Sequence, residues 1–137
     1  MNEKTIFRGY RIESSTITLN AVTANQTFKI APHFECKMTG GKDNYTARLS
    51  VEINSSITGD KTTFDLSVVI SGAFSLGEDL QNNKHGQLRL AIETLFPYLR
   101  AFVTNLTALC GMPPFILPFI NTDQMVSSMH SQDTVMN

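Results

Sequence analysis

Leu88-Arg89-Leu90-Ala91-Ile92-Glu93-Thr94-Leu95-Phe96-Pro97-Tyr98-Leu99-Arg100-Ala101-Phe102-Val103-Thr104-Asn105-Leu106-Thr107-Ala108-Leu109 divides the chain into two kinds of sequence. Within it Leu88, Ile92, Leu95, Leu99, Phe102, Leu106 and Leu109 alternate spacings of four and three, the repeat that brings apolar side chains onto one helix face. Phe96, Val103 and Cys110 widen that stripe, while Arg89, Glu93, Arg100 and Thr104 lie off it. The stripe is expected to serve as core and as subunit interface. Pro97 removes the hydrogen bond to the Glu93 carbonyl, which predicts a kink. Gly111 is placed to cap the helix in the left-handed conformation, and Pro113 and Pro114 prevent its continuation.

Upstream the period falls to two. Phe28, Ile30, Phe34, Cys36 and Met38 share one parity, broken only by Pro32. Tyr45, Ala47, Leu49, Val51, Ile53 and Ile57 repeat the alternation, and so do Phe64, Leu66, Val68, Ile70, Phe74 and Leu76. Such runs predict long strands with one apolar face, as in an antiparallel sheet wetted on its other side. Gly40-Gly41-Lys42-Asp43-Asn44 and Thr58-Gly59-Asp60-Lys61 supply the hairpin turns of a meander. An earlier strand switches parity between Ile12 and Ile17, which places a bulge or break at Glu13-Ser14-Ser15. Pro32, lacking an N–H, confines its strand to an edge or a break.

Downstream, Met112-Pro113-Pro114-Phe115-Ile116-Leu117-Pro118-Phe119-Ile120 is a loop held extended by three prolines and rich in large apolar side chains. That is unusual, because loops normally meet water. Asn121 with Gln124 resembles a capping box opening a short last helix, on which Met125 and Met129 would share a face. The fold class is therefore α+β. It comprises a four-stranded antiparallel meander, a long kinked helix, an extended proline-rich crossover and a short C-terminal helix.

At 137 residues the chain is one domain, 1–137, with termini expected to fray outside about residues 10–130. A net charge of −1 offers no basic field for nucleic acid. No apolar run reaches the ~18 residues of a membrane helix, and no targeting segment is visible, so a cytoplasmic location is expected. Cys36 and Cys110 then read as reduced, buried thiols. His33, His85 and His130 show no metal-ligand spacing, and Ser75 stands in no nucleophile elbow, so neither enzyme chemistry nor a cofactor is expected.

The segment Leu95-Phe96-Pro97-Tyr98-Leu99-Arg100, the run to Gly111, the crossover and Asn121-Thr122-Asp123 resemble the SecB preprotein-export chaperone family. Ser71-Gly72-Ala73-Phe74-Ser75-Leu76, Arg11-Ile12 and Phe28 are similar to pieces of its strands, so the resemblance spans about Tyr10 to Met129. It implies a dimer of dimers that holds unfolded polypeptides without ATP. It also implies a groove lined by the second strand, the crossover and the last helix. On that basis Phe28, Phe34, Phe115, Ile116, Leu117, Phe119, Ile120, Met125 and Met129 are the expected client-binding residues. The family docks the SecA motor through acidic residues, whereas the matching positions here are Thr16, Asn20 and Ser67. Three carboxylates missing from a docking patch remove most of its charge complementarity. The resemblance thus leaves two client roles open, general export and guarding the antitoxin of a toxin–antitoxin system. A carrier of small apolar ligands is a third reading.

Overall fold

The alternating segments form β1 (Ile6–Leu19), β2 (His33–Gly40), β3 (Asn44–Ile53) and β4 (Phe64–Ser75) in a computed structural model. The structure describes residues 4–19, 32–54, 64–112, 114–118 and 120–127. All neighbouring strands are antiparallel. Their order is β1-β4-β3-β2, so the expected meander takes in β2, β3 and β4 only. β1 returns to the far edge beside β4. Alternation sets which face a strand buries but carries no record of which neighbour it joins. The predicted turn at Thr58–Lys61 lies outside the described residues. At the other hairpin, the Gly41 N–H donates to the Asn44 carbonyl at 2.9 Å.

The irregularity expected in the first strand is present. A register shift falls between Ile12 and Ser14, and a second, outside the expected stretch, between Phe7 and Gly9. Each inserts an extra residue and resets the alternation. Phe7, Tyr10, Ile12, Ile17 and Leu19 consequently stand opposite Phe74, Gly72, Ile70, Leu66 and Phe64, all on one face. β2 is an edge strand, and Pro32 immediately precedes it. That is where a residue without an N–H does least harm to a ladder.

The apolar face is covered by α1 (Lys84–Leu109), which starts where the Asn83 side chain accepts the Gly86 N–H at 2.9 Å. Its helical run continues through Pro97. Leu88, Ile92, Leu95 and Leu99 are fully buried against β3 and β4 residues such as Leu49, Val51, Val68 and Ile70. Gly72 permits this close approach: a β-carbon there would lie 2.7 Å from Leu95 Cδ2. The stripe does not stay buried to its end. Phe102 and Leu106 are half-buried and Leu109 is 84% exposed, whereas Val103 and Thr107 are fully enclosed. A helix drifts by ~20° per heptad against a seven-residue repeat. Over the three heptads from Leu88 to Leu109, that rotation carries the stripe off the sheet. Gly111, at φ +83°, takes the left-handed conformation expected of it.

Candidate functional site

Beyond Gly111 the crossover returns alongside α1 and is fastened at few points. The buried Thr107 hydroxyl accepts the Phe115 N–H at 2.8 Å and donates to the Val103 carbonyl at 3.0 Å. The Thr104 hydroxyl donates to the Phe115 carbonyl at 3.1 Å. Both backbone groups of Phe115 are thus satisfied by side chains of α1, as extended backbone against a protein surface requires. The Phe115 ring meets Phe64 edge-on, with centroids 5.5 Å apart. Two residues on, Leu117 is fully buried.

An extended segment turns alternate side chains to opposite sides. With Phe115 and Leu117 directed into the protein, Ile116 is left 57% exposed. At the far end Asn121 caps a short helix, α2, over residues 122–127. Its side-chain oxygen accepts the Gln124 N–H at 3.1 Å, one half of the expected capping box. Val126 of α2 is fully buried. Asp123 is ion-paired with Arg89 of α1, which also reaches Glu93 at 3.2 Å.

Between α1 and the strip lies a hollow of about 680 Å³. Ile92, Phe96, Pro97 and Ala101 line it from α1, and Ile116 and Ile120 from the strip. Glu93, Arg100 and Thr104 add polar groups. Pockets of ~300–1,000 Å³ enclose most of a drug-sized ligand, so this one has room for more than one apolar side chain. Phe34 of β2 meets Phe96 edge-on at 5.8 Å and so joins the strand to the hollow's wall. The groups with shifted titration lie elsewhere. Hydrogen bonding to Arg48 holds the Glu13 carboxyl below its ordinary value. Burial pushes the Tyr45 phenol up to about 12.

The structure brings only some of the expected client-binding residues to this hollow. Ile116 and Ile120 line it, and Phe34 touches its wall through Phe96. Phe115 and Met125 are half-buried against the core. Leu117, expected in the groove, is a core residue instead, because the strip's alternation turns it inward. Phe28, Phe119 and Met129 lie outside the described residues. Sequence reasoning did not assign roles to Thr107 or Val126. Thr107 follows Leu99 and Val103 at intervals of four, a spacing that marks it as a polar residue on a buried face.

A family model described as preprotein translocase subunit SecB matches residues 13–133. No curated protein matches the chain by sequence. Among solved structures, one similar chain is the Mycobacterium tuberculosis SecB-like chaperone Rv1957, in complex with a ChAD peptide from the HigA1 antitoxin Rv1956. The likeness has a TM-score of 0.68 at 15% identity and covers 86% of this chain and 91% of that one. A second is a protein of unknown function from Streptococcus agalactiae, with a TM-score of 0.53 at 12% identity, covering 85% of this chain and 98% of that one.

Proposed function

The chain belongs to the SecB family, a family of chaperones, and from that premise we propose that it holds unfolded polypeptides, without ATP, by taking their apolar side chains into the hollow between α1 and the crossover strip. The supporting observation is Ile116, 57% exposed on a strip whose neighbouring side chains fasten it to the core. Such a surface offers apolar area with few polar groups to impose a sequence code, which suits many clients. At ~25 cal/mol per Å², a few client side chains contribute several kcal/mol before ordering costs, so one hollow binds weakly. Four chains assembled as a dimer of dimers in the cytoplasm raise the avidity by engaging one long client together.

Delivery to SecA is not part of this reading. Thr16 and Ser67, at the matching positions, pair across β1 and β4 and carry no charge, although Glu52 stands on the other side of Ser67, and Asn20 lies outside the described residues. A dedicated client is the second reading. It is favoured by the fold shared with Rv1957, which was solved with an antitoxin peptide.

The test compares the parent protein with Ile116→Ser and Ile116→Met, using light scattering of two unrelated reduced, unfolded clients without ATP. The parent and Ile116→Met should suppress aggregation of both, at a particle mass of four chains. Ile116→Ser should lose most of the suppression at the same mass. Unchanged suppression in Ile116→Ser overturns the site. Protection of neither general client, with tight binding of one specific peptide, replaces the general holdase by the dedicated one.

A further inference from the structure

The sheet's outer face, away from α1 and the hollow, carries an ordered charge pattern. Arg11 pairs in register with Ser71, Ser71 with Arg48, and Arg48 with Lys37. One row across all four strands therefore carries three cations, with Ser71, buried and hydrogen-bonded to Glu13, between the first two. Arg48 is committed to Glu13, through bonds of 2.8 and 2.9 Å. Arg11 is attracted by the Glu13 carboxylate but makes no direct ion pair with it, Lys37 forms none among the described residues, and both cations are exposed. Arg8 lies at the same end, its Nε donating to the Ser75 hydroxyl at 2.7 Å. Arg8 and Arg11 flank a shallow hollow of about 350 Å³ over Ser71, Ala73 and Thr46. These side chains are small, so a bound segment can lie close to the sheet.

We propose that this row is a docking surface for a short, extended, acidic segment of a partner protein, bound through Arg11 and Lys37. The spacing specifies its pattern. β1 and β2 are separated by three strand intervals. At ~4.7–4.9 Å each, these set the two cations about 14 Å apart. An extended chain advances ~3.3 Å per residue, so carboxylates at positions i and i+4 span the gap. An even spacing also turns both carboxylates to the same side of the segment. The remainder of the face selects against a long polyanion. Glu35, Glu52 and Asp65 occupy the rows beyond, in register with Ser50, Ser67 and Thr18, and would repel a nucleic-acid backbone continuing along the strands.

The surface is independent of the client hollow, so its test is separable. A fluorescein-labelled Glu-Ser-Gly-Ser-Glu peptide is titrated by anisotropy at low salt against the parent protein and against Arg11→Gln/Lys37→Gln. An isomer with adjacent glutamates and a single-stranded oligonucleotide serve as competitors. The spaced peptide should bind the parent at least tenfold more tightly than the double variant, and more tightly than its isomer. Aggregation suppression should be equal in the two proteins, which also shows that the variant is folded. Equal binding of the two peptides, equal binding by the two proteins, or preferential binding of the oligonucleotide each overturns the proposal.

Discussion

Between α1 and the sheet, Leu95, Leu49 and Ile70 are each fully buried and surrounded by other apolar side chains. Along the crossover, Leu117 is just as buried, yet Ile116 beside it is 57% exposed. Both regions are rich in large apolar residues. They differ in what holds them. The helix–sheet layer is held by area, with every neighbour supporting the next. The described part of the strip is held by one fully buried leucine, the partly buried Met112, Phe115 and Ile120, two threonine hydroxyls on the Phe115 backbone, and the Arg89–Asp123 ion pair beyond its far end. Point fastening allows apolar side chains to stay at the surface without collapsing into the core. That is the condition a client-holding surface has to meet.

The strongest way to break this contrast is from the core side. Leu95→Ala removes a fully buried side chain packed on Gly72 and is expected to cost about 2–5 kcal/mol of global stability, read from the midpoint of urea unfolding. The strip should unfold in the same transition, since its anchors sit on α1. A loss well below that range would mean the layer relaxes into the gap and is less tightly packed than its burial indicates.

A smaller effect is expected from the strip's own fastening. Thr107→Val keeps the shape of a fully buried side chain but removes the acceptor of the Phe115 N–H. Leaving a buried donor unpaired costs about 1–3 kcal/mol. Here that cost can be met locally, by the strip lifting away. Amide exchange at Phe115 should therefore accelerate, while β3 amides such as Leu49 slow or quicken only with the global midpoint. If Phe115 exchanges with the core in both proteins, the strip is not a separate unit and the contrast fails.

The same contrast separates what could be read from residues from what could not. Layer residues announce themselves through period: two for β3 and β4, close to 3.5 for α1. Even the bulge after Ile12 shows as a change of parity. The placement of β1 beside β4 did not show, because strand pairing is a long-range choice that local alternation does not encode. Leu109 is the one stripe member that the core does not take up, which leaves it to the subunit-interface half of the expectation. A strict four-three stripe drifts around a real helix, and its last member left the sheet. In the strip, three prolines pointed to extension; over residues 114–118 burial alternates as extension requires, so that Ile116 and Leu117 face opposite ways. Treating all its apolar residues as one surface missed that geometry. The polar anchors were hardest to see, since threonines on a helix resemble solvated residues until their partner is known.

The smallest expected effect comes from acid, which can act on the Glu13 bridge in the sheet but not on the two threonine hydroxyls that hold Phe115. Glu13 bridges from β1 to Arg48 on β3, and hydrogen bonding to that guanidinium, assisted by Ser71, holds its carboxyl below the ordinary value of 4.5. A group whose folded-state value is depressed contributes stability that is fully present above its unfolded value and is lost as pH falls through the folded one. The tie between strands should thus weaken only below about pH 4.5. Threonine hydroxyls do not titrate there, so Phe115 protection, corrected for intrinsic exchange, should fall no faster than global stability. Carbon-detected titration of Glu13 in the parent and in Arg48→Met checks the cause, because the midpoint should rise toward the ordinary value once the guanidinium is gone. An unchanged midpoint would show that the bridge does not hold the carboxylate in solution, leaving β1 attached by its backbone ladder, its apolar face and contacts such as Arg8 with Ser75.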